Sequence, residues 1–140
     1  MSEGDGVTFE VTTVVVCDEQ RREDNGKMIL IGVYNEKVFV PQFPAPLALS
    51  FWLQGIPSGP GQGMLYVRVS AGEAEFLNNS GPIAFNDKEL SSISVPPVPC
   101  IFQQPSELKL ELKSRQDEPW RTIKTIKIAK RDPATQRAAA

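Results

Sequence analysis

The chain has 140 residues, 17 of them acidic and 15 basic, giving a formal net charge of −2, and it contains no histidine. That length is expected to make one domain and to bury a core without disulfides. The missing histidine excludes imidazole-assisted serine or cysteine nucleophiles and histidine-containing zinc sites. Two cysteines cannot build a four-cysteine zinc site either.

Charge is uneven along the chain, −5 over residues 1–36, −1 over 37–106 and +4 over 107–140. The isoelectric point near 5.2 does not fit a basic nucleic-acid-binding domain, so nucleic acid is not expected as a partner. No apolar run reaches the roughly 18 residues of a spanning helix, so no membrane association is expected. The acidic start, Met1-Ser2-Glu3-Gly4-Asp5, lacks a secretory pattern. A cytoplasmic location is therefore expected, with Cys17 and Cys100 as reduced thiols in the core.

Short apolar stretches broken by Gly, Pro, Asn and Ser predict an all-β chain. The first strand spans residues 7–17; its apolar phase shifts across Thr12-Thr13, which predicts a bulge. A charged loop over 18–26 ends in Asn25-Gly26, a strong turn signal. The stretch 27–34 is apolar on both parities apart from Gly32, as in a central strand buried on both faces. Gly32 is expected at a bulge or a close backbone approach. A short strand at 37–40 stops at Pro41. Residues 42–46 look too proline-rich for a ladder.

Alternating strands follow at 47–54 and 65–70, separated by a glycine-rich loop over 55–63 that is expected to be flexible. Residues 83–105 are ambiguous: one helical turn at 87–90, a short strand at 93–95, then prolines that exclude regular structure up to Cys100. Leu108, Leu110 and Leu112 alternate with charges, giving one buried and one wet face. The charges of that face, Glu107 to Lys113, are expected to pair with Lys124 and its neighbours across the strands. The isoleucines at 123–128 favour a returning strand over a helix. The expected architecture is an antiparallel two-sheet β-sandwich of about eight strands, immunoglobulin-like or C2-like, over residues 7–129, with disordered ends at 1–6 and 130–140. A small β-barrel is the alternative.

Cys17-Asp18, the run Asn25-Gly26-Lys27-Met28-Ile29-Leu30-Ile31-Gly32-Val33-Tyr34 and the later Leu108 to Leu112 pattern resemble an uncharacterised bacterial family of unknown function. In that family a strand ending in a small residue and Asp leads through a short loop to Gly-Lys, an apolar strand and a Gly before an aromatic. The likeness lies mainly in residues 9–34. The loop here is longer and more charged than the family pattern, and one glycine precedes the aromatic. The resemblance implies a β-sandwich and a soluble bacterial or phage origin, and no activity.

Among groups able to carry chemistry, Asp18, Glu19, Arg21, Arg22, Glu23, Asp24 and Lys27 are the densest. Bases among the acids, and no Asp-x-Asp-x-Asp spacing, favour a solvated, ion-paired loop over calcium. Glu73/Glu75 and Glu107/Glu111 are same-strand pairs, poorly placed for two-carboxylate catalysis. The glycine-rich segment lacks a phosphate-loop ending. Trp52, Tyr66 and Trp120 form an exposed aromatic patch, or Trp52 and Tyr66 are covered by the second sheet. No metal or cofactor is expected. The expected function is a non-enzymatic binding or structural module that presents residues 18–26 and 55–63, or a sheet edge, to a protein partner or its own copy. Candidate contacts are Asp18, Arg21, Arg22, Glu23, Asp24, Lys27, Trp52 and Tyr66. A small-ligand or carbohydrate site on Trp52 and Tyr66 is the alternative, and a carboxylate-only enzyme is the least favoured reading.

Overall fold

A computed structural model describes residues 6–131. Nine strands follow in chain order: β1 (Phe9–Arg22), β2 (Met28–Tyr34), β3 (Lys37–Val40), β4 (Ala45–Pro57), β5 (Gly61–Ala71), β6 (Ala74–Phe85), β7 (Ser91–Phe102), β8 (Ser106–Lys113) and β9 (Arg121–Lys130). They form two sheets, ordered β2-β1-β4-β7 and β3-β9-β8-β5-β6. The sheets do not close into a barrel, so the architecture is the expected β-sandwich. Among the described residues there is no helix, and so none long enough to cross a membrane.

Alternation builds the core. Phe9, Val16, Leu49, Phe51 and Leu53 from one sheet meet Leu65, Val69, Leu108, Leu110, Leu112, Ile126 and Ile128 from the other, all buried. Each such side chain contributes about 1.5–3 kcal/mol on leaving water. Two aromatic pairs tie β6 across to the opposite sheet. Phe85 stacks on Phe9 with centroids 5.4 Å apart, and Phe76 meets Phe102 edge-on at 5.3 Å.

Several expectations need correction. The described residues hold nine strands, in line with the expected eight or so, but β3 pairs with β9 in parallel where antiparallel sheets were expected. The bulge in β1 lies where the phase shift placed it, between Val11 and Thr13. Residues 91–102 form one continuous strand despite Pro96, Pro97 and Pro99. β7 is an edge strand paired only with β4, and two of its prolines fall at the register shift opposite Leu49 to Phe51, so no ladder donor is missed. Pro46 fits the ladder for a related reason. β1 leaves β4 after Cys17 and Ser50, which makes β4 locally an edge. The segment 87–90 makes a bend and no helical turn.

The glycine-rich stretch 55–63 is not a free loop. Only residues 58–60 lie between β4 and β5. The chain start lies across this turn: Val7 N–H donates to Gln62 O (2.9 Å), Ser58 N–H to Thr8 O (2.9 Å) and Thr8 N–H to Ser58 Oγ (3.0 Å). A Cβ on Gly55 would stand 2.9 Å from the Glu10 carbonyl carbon, and one on Gly63 3.0 Å from that of Val7. These glycines admit a crossing backbone; they do not confer flexibility. At the other end, Lys130 pairs with Val40, and Arg131 N–H donates to Val40 O (2.6 Å), so order extends past residue 129. The expected disorder at residues 1–5 and 132–140 lies outside the described residues.

Candidate functional site

β1 carries the site away from the sandwich. It pairs with β4 from Phe9 to Cys17 and with β2 from Val16 to Arg22, so the two partnerships overlap only at Val16 and Cys17. Beyond Cys17 the chain is a two-stranded ribbon, Asp18 to Arg22 against Met28 to Gly32. The charged "loop" of residues 18–26 is therefore mostly strand, with only 23–27 turning the chain. Gly26 N–H donates to Glu23 O (2.9 Å), Glu23 N–H to Lys27 O (2.8 Å) and Lys27 N–H to Asn25 Oδ1 (3.0 Å). Gly26 holds φ at +88°, as a three-residue hairpin requires.

β2 is an edge strand, not the central strand expected from its two-sided apolar pattern. Ile29, Ile31 and Val33 are 40%, 39% and 54% exposed. Direct cross-strand partners share a face, so Arg21 lies beside Ile29 and Glu19 beside Ile31. Arg21 and Glu19 also pair with each other at 3.0 Å, an exposed contact worth little. The ribbon thus presents an apolar row flanked by one pair of charges.

The root of the ribbon is held by polar contacts. Tyr34 donates its hydroxyl to Asp18 Oδ1. Gly32, at φ +70°, lies directly under the Asp18 carboxylate. Burial, and then the Asp18 hydrogen bond and charge, push the Tyr34 hydroxyl up to about 12. Gln20 Nε2 reaches two main-chain carbonyls, Phe51 O (3.0 Å) and Val95 O (3.2 Å), and so anchors the ribbon to β4 and β7.

Asp18, Arg21, Arg22, Glu23, Asp24 and Lys27 are thus brought onto one ribbon. Trp52 and Tyr66 are not brought together. Trp52 lies between buried Phe51 and Leu53 on β4, and Tyr66 between core-facing Leu65 and Val67 on β5. By alternation each points away from the core, on opposite outer faces of the sandwich. Neither the shared patch nor the covering by the second sheet survives. Tyr66 instead belongs with Trp120: Lys113 Nζ sits 4.5 Å from the Trp120 ring and 5.7 Å from that of Tyr66. Beside them, Arg68 Nε lies 3.4 Å from Glu111 and 3.5 Å from Glu75. Glu111 thus pairs with Arg68, and across the strands Lys124 stands opposite Leu110.

An apolar cleft of about 320 Å3 opens between β6 and β7, where the sheet edges part. Leu77, Ile83, Ile93 and Val98 line it, with Pro82, Pro96 and Pro97 at its walls. Among the described residues no group of three Cys, Asp or Glu side chains converges as a metal site. The exposure of β2 was missed in the sequence because an apolar strand reads the same whether both faces are covered or one edge is bare. Its seven residues without a charge or proline were the available signal. Comparison with models of known protein families and with curated proteins finds no match for this chain.

Proposed function

We propose that the protein is a non-enzymatic binding module that recruits a protein partner by strand addition at the open edge of β2. One observation carries this reading: β2 is an edge strand of seven residues, Met28-Ile29-Leu30-Ile31-Gly32-Val33-Tyr34, with neither charge nor proline. Bare edges invite pairing, and sheets normally blunt them with prolines, charges or shortness. The other three edges here carry such guards. β7 has Pro96, Pro97 and Pro99, β6 has Glu75 and Pro82, and β3 is four residues long and begins with Lys37. A strand added to β2 would bond through the main chain and cover Ile29, Ile31 and Val33, combining affinity and specificity.

The test compares capture of partners from the source cell by wild type, Ile31→Lys and Ile101→Lys. Ile101 is 57% exposed on the guarded strand β7 and serves as the control. The reading expects a partner lost by Ile31→Lys and kept by Ile101→Lys. Equal capture by both overturns it. A second reading, a small apolar ligand, draws on the β6–β7 cleft and no longer on Trp52 and Tyr66. An apolar fluorescent probe displaced from the wild type but not bound by Ile83→Lys would support it.

A further inference from the structure

We infer that the cleft between β6 and β7 binds an uncharged, mostly apolar molecule of roughly a dozen non-hydrogen atoms that carries one hydrogen-bond acceptor. This rests on the cleft reading given above, names its ligand class, and is independent of strand addition at β2. A glycine inside a strand weakens it, and marks a bulge, a close backbone or a ligand. Gly81 lies in a regular stretch of the β5–β6 ladder, where Met64 faces Pro82, Leu65 faces Gly81 and Tyr66 faces Ser80. Its φ is not left-handed, and a Cβ built on it would meet nothing within 4 Å. Neither a bulge nor a crossing backbone therefore calls for glycine there. Leu65 is buried in the core, and direct cross-strand partners share a face, so a Cβ on residue 81 would point inward, into the cleft. Glycine at this position keeps open a volume that a larger side chain would fill.

The rest of the lining sets the ligand's chemistry. The cleft holds about 320 Å3, and an apolar cavity of about 150 Å3 accepts benzene, so a ring with a short side chain fits. Among the described residues none that lines it is charged, so an ionised ligand would lose its hydration without gaining a partner. Pro96, Pro97 and Pro99 line the β7 wall and have no N–H to offer, which excludes an added peptide strand. Asn79, exposed at the mouth, supplies the polar contact. It pairs with Val67 and so shares the inward row with Leu77, Gly81 and Ile83, as the one polar residue among them. Its Oδ1 accepts Ser80 N–H at 2.9 Å, which leaves Nδ2 to donate to a ligand. A carbonyl oxygen at the mouth would accept that bond while the ring lies against Leu77, Ile83 and Ile93.

The test is a titration of the full chain, followed by amide NMR shifts, with three matched probes. Benzylacetone is a neutral aryl ketone, butylbenzene lacks the acceptor, and hydrocinnamate is an anion. Benzylacetone is expected to saturate shifts at Leu77, Ile83 and Ile93 with a Kd on the order of 100 µM. Butylbenzene is expected to bind about fivefold more weakly, for want of the hydrogen bond, and hydrocinnamate more than about tenfold more weakly. Asn79→Ala is expected to bring benzylacetone to within about twofold of butylbenzene. Gly81→Leu is expected to weaken every probe by more than about tenfold while raising the melting temperature, because its side chain fills the cleft and buries apolar surface. A Gly81→Leu protein that melts lower, or that binds the probes as the wild type does, overturns the inference. So does hydrocinnamate bound as tightly as benzylacetone. Butylbenzene bound as tightly as benzylacetone also overturns it and leaves the cleft reading standing. No saturable shift with any probe rejects the two together.

Discussion

Asp18 occupies the space that a side chain on residue 32 would need. A Cβ built on Gly32 would stand 2.9 Å from Asp18 Cγ and closer still to Oδ2. The same carboxylate accepts the Tyr34 hydroxyl. A left-handed glycine, an acid over it and a tyrosine two residues on therefore form one unit at the root of the ribbon.

Gly32→Ala is expected to destabilise the fold by about 1–3 kcal/mol, from the left-handed backbone and the displaced Asp18. Urea unfolding measures the loss. Gly26→Ala is the comparison: its φ is also positive, but a Cβ there meets nothing within 4 Å. The smaller loss belongs to Gly26→Ala.

Tyr34 supplies a pH dependence. Its hydroxyl is pushed up to about 12, chiefly by burial and then by Asp18. The folded state therefore keeps a proton that the unfolded chain releases near its ordinary value of about 10. The stabilisation is fully present below that ordinary value and is lost as pH rises through about 12. Absorbance titration should show a late phenol component that Tyr34→Phe removes and Asp18→Asn moves to lower pH. A late component that survives Tyr34→Phe contradicts the assignment.

Both thiols are buried. Burial pushes Cys100 up to about 11 and is also the main cause raising Cys17. Reaction needs the thiolate, so a disulfide reagent near pH 8 is expected to modify neither in the folded protein and both in urea. Fast modification of the folded chain would contradict this. The stabilising contribution at Cys100 is present below the ordinary thiol range and is lost as pH rises through about 11.

Gly63→Ala and Gly55→Ala are expected to cost more than about 2 kcal/mol each, because main chain blocks the new methyl and cannot swing aside. Gly59→Ala meets only Lys88 Cε at 3.7 Å and is expected to change stability by less than about 0.5 kcal/mol. Thermal melts distinguish this from a flexible loop, in which all three substitutions would be mild.

The strands that alternate strictly were readable in the sequence. Leu108, Leu110 and Leu112 are buried between wet neighbours, and the bulge after Val11 lies where the apolar phase changes. What was not readable depends on neighbours distant along the chain. Gly55 and Gly63 look like loop residues until residues 7–10 cross over them. Pro96, Pro97 and Pro99 exclude a strand only if that strand is central, and β7 lies at an edge. The apolar β2 reads as central because local pattern does not record which strands stand beside it. Trp52 and Tyr66 seemed a pair because parity alone does not say that their sheets face opposite ways. The charged residues of the ribbon were read as a loop, because Asn25-Gly26 marks the turn and not the length of the strands that enter it.

Residue-resolved amide hydrogen exchange, measured with and without the partner that the wild type captures, tests strand addition at β2 most directly. Glu23 N–H bonds Lys27 O, so by ladder alternation Met28, Leu30 and Tyr34 turn their N–H groups to the open edge. The expected result is an alternating pattern: Met28, Leu30 and Tyr34 gain protection, while Ile29, Ile31 and Val33, already bonded to β1, do not change. Unchanged exchange at Met28, Leu30 and Tyr34, with protection rising instead at the β6–β7 cleft, would contradict it.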